Sequence, residues 1–480
     1  MINRISADNI RRDRTVIDLP ASKSLSNRAL IMKALCEGDC QLSHLSDCDD
    51  TKVMLQAFDT VRLAPTCTSA NESPQFLTID IGAAGTSMRF LTAFFAANEG
   101  ICVQMTGSAR MKDRPIALLV DALRELGADI DYAEKEGFPP LNIRGRKLSG
   151  GKLSIDGSTS SQYISALLMI APTLANGLEL TLTNQVTSRP YIEMTLEMMR
   201  EFGVESEWTS DSTVSVKPQR YTSMTYAVES DWSASSYWYQ ICALAKSAGI
   251  KTEFLLMGLK QHSLQGDSHA ADYFNELGVV TEFTAEGAVI KPADDFTMPV
   301  KVEWNMCNQP DLAQTMISTC CGLGVHFAIN GLHTLRIKET DRIAALQNEL
   351  AKFGFDVKAV GDDLMTWDGD ELTTDDLPPF VDTYHDHRMA MAFAPLAITS
   401  GDTYICDPEV VSKSYPSFWN DLQSAGIDVE PQTLSRTELA EKFENAMRRQ
   451  QRIHTHSKWV LNTLLIAVAV LILWLIFKIL

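Results

Sequence analysis

Five ionisable side chains fall within the run Arg336-Ile337-Lys338-Glu339-Thr340-Asp341-Arg342. Before it lies the apolar segment Val325 to Ile329. After it, the apolar residues Ile343, Leu346, Leu350 and Phe353 recur at helical spacing. The charges therefore gather at or beside a helix start. Lys338 and Arg342, four apart on one helical face, have the spacing to grip a phosphate or carboxylate. Glu339 beside them can keep or donate a proton according to its neighbours. A solvated helix start laced with i,i+4 pairs is the plainer reading of the same run.

Further cations occupy comparable places: Lys23 and Arg28, Arg114, Arg388 and Lys413. The element that must position them is a repeat: a short apolar strand ending in an acidic residue, a small or polar loop, then a helix whose first turn carries Ser, Thr or a cation. Copies begin at Asp18, Asp80, Asp156, Glu229, Glu303 and Asp382, roughly 60 to 80 residues apart. Such spacing points to duplication, with three units in each of two domains and a boundary near Gln219 to Ala227. The second helices end before glycines: Ile116 to Leu126 at Gly127, Met194 to Phe202 at Gly203, Ala270 to Leu277 at Gly278, Ala344 to Phe353 at Gly354 and Phe418 to Ala425 at Gly426. Each unit reads as strand, helix, strand, helix, strand, strand, which is α/β. A helix N-terminus behind small residues exposes free N–H groups and the positive end of its dipole, so several converging on one cleft make an anion site.

The whole chain bounds that reading. Its 480 residues, 45% hydrophobic, hold two or three domains, and the net charge of −19 excludes a general nucleic-acid surface. An anionic ligand must be held by local cations against that field. The ten cysteines form no C-x-x-C pair and no zinc spacing, as expected of reduced thiols. Met1 to Arg14 has arginines but no apolar h-region, so no secretory signal is read there. His385-Asp386-His387 lacks a convincing third ligand for a metal.

Eight stretches in register carry a resemblance: Leu19 onward (LPASKSLSNRAL), Gly85-TSMR with Arg110-MKDRPI, Gly157-STSSQYISALLM, Ser188-RPY, Gln309-PDLAQT, Leu335-RIKETDR, His385-DHRMAM and Ser412-KSYPSF. Together, over residues 4 to 428, they resemble the 5-enolpyruvylshikimate-3-phosphate synthases (3-phosphoshikimate 1-carboxyvinyltransferases). The resemblance implies an α/β fold of two similar domains, each of three βαβαββ units with helices buried inside, joined by two crossovers. The C-terminal half (1–20 and 226–430) and the N-terminal half (21–225) are then the domains, followed by a polar helical linker, 431–458. The implied reaction moves the enolpyruvyl group of phosphoenolpyruvate to the 5-hydroxyl of shikimate 3-phosphate and releases phosphate, with no metal or organic cofactor.

On the same resemblance, Lys23 lies between the two substrates, and Ser24, Arg28, Ser160, Ser161, Ser188, Tyr191, Asp311 and Lys338 hold shikimate 3-phosphate. Gln162 lies between the ligands. Gly85, Arg114, Arg342, Arg388 and Lys413 grip phosphoenolpyruvate. Asp311 is the implied base for the 5-hydroxyl, Glu339 the acid that protonates C3, and Lys23 assists the leaving phosphate. Asp311 also has the position to cap a helix Leu312 to Thr319. The chain departs from the family pattern at Ala83 and Thr334, where asparagine is usual or frequent, and at Phe90, where many members have proline.

Two other readings compete. A sister enzyme acting on UDP-N-acetylglucosamine shares the repeat architecture, but the Ser160-Ser161-Gln162 and Lys338-to-Arg342 motifs are of the shikimate type. A catalytically silent scaffold is opposed by the intact Lys23, Asp311, Glu339 and Arg342. The tail extends past the resemblance. Trp459 to Leu480, with an uninterrupted apolar stretch Leu464 to Phe477, is long enough at about 1.5 Å per residue to cross a hydrocarbon core of about 30 Å. Arg448, Arg449, Arg452 and Lys458 precede it. The expected arrangement is a monomeric cytoplasmic catalytic domain tethered to the inner membrane by residues 459–480, with its two small-molecule substrates and no nucleic acid as partners.

Overall fold

Three of the four-stranded sheets are each assembled from one unit's own strands in one repeated order. In a computed structural model, which describes residues 1–63, 76–374 and 377–448, the strand Leu77–Asp80 pairs in parallel with Cys102–Thr106, and the helix Gly85–Ala96 makes the crossover that a parallel pair requires. The helix Ala117–Glu125 then returns the chain to a hairpin, Asp129–Tyr132 and Leu141–Arg144. Its second strand enters beside Cys102–Thr106, so the order is first, second, fourth, third. Units beginning at the strands Gly151–Asp156 and Lys301–Asn305 repeat this order.

The two helices of a unit differ in what surrounds them. Gly85–Ala96 is buried everywhere but Thr86, and Ser161–Ile170 everywhere but Gln162, so residues apolar on every side can be used throughout. Hydroxyls in such helices bond their own backbone: Thr92 donates to the Met88 carbonyl at 2.6 Å and Ser318 to that of Gln314 at 2.9 Å. The half-buried residues of these crossover helices, Thr86 and Gln162, sit in their first turns, at one end of the layer. The returning helices Ala117–Glu125, Arg189–Glu201 and Arg342–Ala351 are amphipathic and end at Gly127, Gly203 and Gly354.

One feature of the repeat is exchanged between halves. The strand Arg14–Ile17, which leads into the helix Lys23–Leu35, pairs with Glu253–Met257. The strand Thr225–Ala227, which leads toward the helix Trp232–Ser247, pairs with Gln41–Ser43. Both pairings are parallel, so each strand takes the place that the other would occupy in a self-contained unit. The two passages touch, with an antiparallel bridge between Ala21 and Ser230 and a 2.8 Å bond from the Ser22 N–H to the Glu229 carbonyl. One hydrophobic core gathers residues of 5–19 and 232–429, the other residues of 21–228. The N-terminal strand Ile2–Ser6 closes the last sheet between Thr403–Cys406 and Asp428–Gln432.

The segment expected to be a polar linker is partly built into the fold. Pro431 and Gln432 lie in that last strand, and a helix over 436–448 packs Leu439 and Phe443 on Ile2, Phe380 and Tyr404. Among the described residues no helix is long and apolar enough to cross a membrane. The expected anchor, 459–480, lies outside the described residues.

Gly426 ends a helix at φ +81°, and a Cβ there would stand 2.2 Å from the Asn9 carbonyl oxygen. Gly361, at φ +63°, has nothing within 4 Å of such an atom. Gly361→Ala is expected to cost about 1 kcal/mol from left-handed backbone alone, and Gly426→Ala at least twice as much, since backbone must also shift. Urea unfolding of the two variants checks the order.

Candidate active site

The strand ends of both halves deliver their following helix starts to a single cleft. Lys23, Ser24, Arg28, Gly85, Arg114, Ser160, Ser161, Gln162, Ser188, Tyr191, Asp311, Lys338, Glu339, Arg342 and Arg388 all line it. Lys413 is not on its wall but donates to Glu339 Oε1 at 2.8 Å. The residues singled out in the sequence are thus brought together from both halves.

At its centre is Arg342, 1% exposed. Its Nε lies 2.7 Å from Asp386 Oδ2, its Nη1 3.2 Å from Asp311 Oδ1 and its Nη2 2.9 Å from Glu339 Oε2. The planar fork allows one guanidinium to serve three carboxylates in different directions. Asp311 gains a second cation from Arg388 at 3.0 Å and a third from Lys338 at 3.7 Å. Burial pushes the Asp311 carboxyl up, but Arg388, Lys338, Arg342 and Lys23 outweigh it and hold it well below the usual carboxylate range. Glu339 behaves alike: burial raises it, and Lys413, Arg342 and Arg114 bring it well below that range. These cations therefore hold both carboxylates ionised at neutral pH.

Local structure differs from the sequence reading in two places. Lys338 is not on a helical face with Arg342. It follows the 3-10 turn His333–Ile337 in extended backbone, and the helix begins only at Arg342 because Asp341 caps it, accepting from the Ala344 N–H at 3.1 Å. Lys338 nevertheless converges with Arg342 on Asp311. Asp311 itself is no cap. It lies in the 3-10 turn Pro310–Leu312, and the helix Ala313–Leu323 has no side-chain cap, which frees the carboxylate for the cations.

The other half supplies the facing wall. Arg114 crosses to within 3.8 Å of Glu339 Oε1, and a Cβ on Gly85 would stand 2.4 Å from Arg114 Nη1, so glycine there makes room for the guanidinium. Tyr191 donates to Asp311 Oδ2 at 3.2 Å, and Gln162 donates to the Thr86 hydroxyl at 3.1 Å. Arg28 is occupied by the protein: it donates to Thr195, Ser165 and the Ser24 and Tyr191 carbonyls, and burial lowers it to about 10. Arg110 spans the cleft, donating to the Lys338 carbonyl at 3.0 Å and the Glu339 carbonyl at 3.1 Å.

Four participants escaped the sequence reading. Asp50, on the helix Asp49–Arg62, lines the cleft with Oδ1 unpartnered among the described residues; burial raises its carboxyl against the pull of Lys23. The signal was the acidic run Asp47 to Asp50 ahead of that helix, which offers Lys23 a counter-charge. His387 was weighed only as a metal ligand. Burial, Lys23 and Arg388 hold it well below its ordinary value, so it is neutral, although its Nδ1 lies 3.5 Å from Asp386 Oδ1. Asp386 is fully buried against Arg342. Asp267, which accepts from Ser233 and from Tyr191, is pushed by burial and by Asp311 to about 7. Among the described residues no cluster of His, Cys, Asp and Glu has the arrangement to hold a metal.

Arg342→Met leaves three carboxylates buried with too few counter-charges, and stability at neutral pH is expected to fall by about 3–5 kcal/mol. In the native protein the depressed Asp311 and Glu339 contribute stability that is fully present above the ordinary carboxylate range and is lost as pH falls from that range toward their lowered native values. In the variant Asp311 keeps Arg388 and Lys338 and Glu339 keeps Lys413 and Arg114, so both stay depressed but less so, and the stability lost on acidification below about pH 5 is expected to be smaller than in the native protein. Unfolding measured across that window reads the difference. A variant that loses as much stability on acidification as the native protein would show that Arg342 does not help to hold these carboxylates ionised.

The family model described as EPSP synthase (3-phosphoshikimate 1-carboxyvinyltransferase) matches residues 8–422. A Bacteroides fragilis protein named 3-phosphoshikimate 1-carboxyvinyltransferase is 51% identical over 416 residues, covering 87% of this chain and 96% of that protein. A protein of the same name from Haemophilus influenzae is 37% identical over 438 residues, 85% of this chain and 95% of its own length. The solved EPSP synthase from Acinetobacter baumannii superposes with a TM-score of 0.70 at 21% identity over 90% of this chain and all of that one, a likeness of fold. With the family model spanning most of the chain and both halves of the cleft inside it, the chain belongs to the EPSP synthase family.

Proposed function

We propose that this cleft is where the chain carries out its family's reaction. The enzyme transfers the enolpyruvyl group of phosphoenolpyruvate to the 5-hydroxyl of shikimate 3-phosphate and releases phosphate, a step of aromatic amino acid biosynthesis. The observation that carries the assignment to this cleft is the convergence of Lys338, Arg342, Arg388, Lys413 and Arg114 on two carboxylates, Asp311 and Glu339. Two anionic substrates need such a place in a protein of net charge −19.

The division of labour follows the family resemblance. Shikimate 3-phosphate is assigned to Ser24, Arg28, Ser160, Ser161, Ser188, Tyr191 and Lys338 with Asp311. Phosphoenolpyruvate is assigned to Gly85, Arg114, Arg342, Arg388 and Lys413, with Lys23 and Gln162 between the ligands. Asp311, held ionised by its cations, suits removal of the 5-hydroxyl proton as that oxygen attacks C2. Glu339 must carry a proton to give to C3, yet its protein cations by themselves keep it ionised. Binding of phosphoenolpyruvate resolves this. The ligand's own charges occupy Lys413, Arg342 and Arg114, the attraction that depressed Glu339 weakens, and burial then favours its protonated form. The tetrahedral adduct eliminates phosphate with the two roles reversed and Lys23 beside the leaving group.

Replacing Glu339 by Gln keeps shape and hydrogen bonding but removes the transferable proton. Phosphate release from the two substrates is expected to fall by about a hundredfold or more, with shikimate 3-phosphate binding largely kept. Normal turnover would overturn the assignment of the acid.

The tail reading stands on sequence alone. Trp459 to Leu480 has the length and composition of a membrane span, and Arg448, Arg449, Arg452 and Lys458 place the catalytic part on the cytoplasmic side. The full chain is expected to sediment with membranes through salt and carbonate washes and to be released by detergent, while a chain ending after residue 448 stays in the supernatant and active. A full chain recovered as a monodisperse species without detergent overturns the anchor.

A further inference from the structure

The helix over 436–448 lies beyond residues 8–422, the part matched by the family model, yet it is fastened to the fold at two points. One is apolar: Phe443 meets Tyr404 with ring centroids 5.5 Å apart, and Leu439 is 1% exposed. The other is ionic. Arg436 Nη1 donates to both oxygens of Asp382 at 2.9 and 3.0 Å, and its guanidinium lies 5.6 Å from the Phe380 ring centroid.

Asp382 begins the segment that enters the cleft. It also takes Lys352 Nζ at 2.8 Å, and Lys352 is bonded at 2.6 Å to Glu349, a carboxylate with no exposed side-chain surface. Glu349 in turn accepts from the Asp382 N–H at 2.9 Å and the Tyr384 hydroxyl at 2.7 Å. Tyr384 and the next residue, His385, both hold left-handed backbone, at φ +53° and +56°. Two consecutive non-glycine residues in that region are strained and persist only where their surroundings over-determine them. Directly after them, Asp386 binds Arg342 and caps the helix that carries Arg388, accepting from the Arg388 N–H at 3.0 Å.

The strained turn thus lies between two clamps, the Asp382 network outside and the Asp386 pair inside. We propose that Arg436 is a positioning residue for the reaction: with its helix it braces Asp382, holds residues 382–386 in their strained course, and so sets where the Arg388 guanidinium stands in the cleft. This rests on the reading that Arg388 grips phosphoenolpyruvate. The brace comes from a C-terminal extension that leads onward to the apolar tail, which ties that extension to the anion grip.

The test uses the full chain in detergent, with steady-state kinetics in each substrate and thermal unfolding for Arg436→Ala, Arg436→Lys and Arg388→Ala. Arg436→Ala is expected to raise the apparent KM for phosphoenolpyruvate about threefold to tenfold while that for shikimate 3-phosphate changes less than about twofold. Arg436→Lys, which keeps one charged contact with Asp382, is expected to restore most of the loss. A merely structural role would lower the melting temperature and leave the ratio of the two KM values alone, and that result overturns the proposal. Arg388→Ala separates the two layers. If it raises the phosphoenolpyruvate KM while Arg436→Ala does not, the brace alone is wrong. If it leaves that KM unchanged, the site reading fails and the route of the brace fails with it.

Discussion

A single buried guanidinium, that of Arg342, ties together three carboxylates from three separate stretches of chain: the turn at Asp311, the run before its own helix at Glu339, and the helix cap at Asp386. None could be buried alone, because an unpaired ion in a low-dielectric interior costs several kcal/mol. Pairing all three through one fork also fixes their relative orientation, and that orientation sets up the cleft. Asp311 then has lone pairs left for Tyr191, Lys338 and Arg388, and Glu339 for Lys413 and Arg114. Two of these partners, Tyr191 and Arg114, come from the opposite half. The charge cluster therefore joins the halves as well as lining the site. Arg110 adds a charge-assisted contact of the same reach by donating to the backbone carbonyls of Lys338 and Glu339.

What was legible in the sequence depended on local chemistry. Helix ends were readable because a left-handed residue after the last turn strongly favours glycine: Gly127, Gly203, Gly278, Gly354 and Gly426 all have φ between +80° and +100°. The cleft was readable because cations recur in or just after the loops of four of the six units, at Lys23 and Arg28, Arg114, Lys338 and Arg342, and Arg388 and Lys413. Strand exchange was not readable from the repeat itself, since Arg14–Ile17 and Thr225–Ala227 have the same local pattern as strands that stay in their own unit. Which sheet they join is decided by packing many residues away. The position of Lys338 was misread for a related reason. Helical spacing continues backward from Ile343 through the charged run, but Asp341 captures the Ala344 N–H and stops the helix first. Asp267 was missed because a lone acidic residue has no pattern and only burial beside Asp311 makes it unusual, while the acidic run that holds Asp50 does not show which of its carboxylates is buried beside Lys23.

The anion-binding role of helix starts also turns out to be selective. Starts at Lys23, Ser161, Trp232 and His387 already spend an N–H on a side-chain cap, Ser22, Ser160, Asp231 and Asp386 respectively. The start at Gly85 has none. A capped terminus keeps its dipole but has fewer free donors, whereas the uncapped start lies beside the Arg114 guanidinium. The strongest anion position on the N-terminal half is therefore the Gly85 start together with Arg114, and on the other half it is built from side-chain cations.

The departures from the family pattern can be weighed in the same way. Ala83 is exposed and outside the residues lining the cleft, so loss of an amide there takes no group from its wall. Phe90 is buried with its ring 5.2 Å from the Arg28 guanidinium, where a flat π face partly compensates a charge deprived of water. Thr334 is different, because it lines the cleft and its hydroxyl is buried without a partner among the described residues. A hydroxyl can replace an amide as donor or acceptor but reaches less far. The three changes therefore leave every charge of the Asp311–Glu339–Arg342 cluster in place and alter only the neutral groups beside it. Their effect belongs to how the ligands are fitted, while the proton transfers depend on carboxylates whose environment they do not touch.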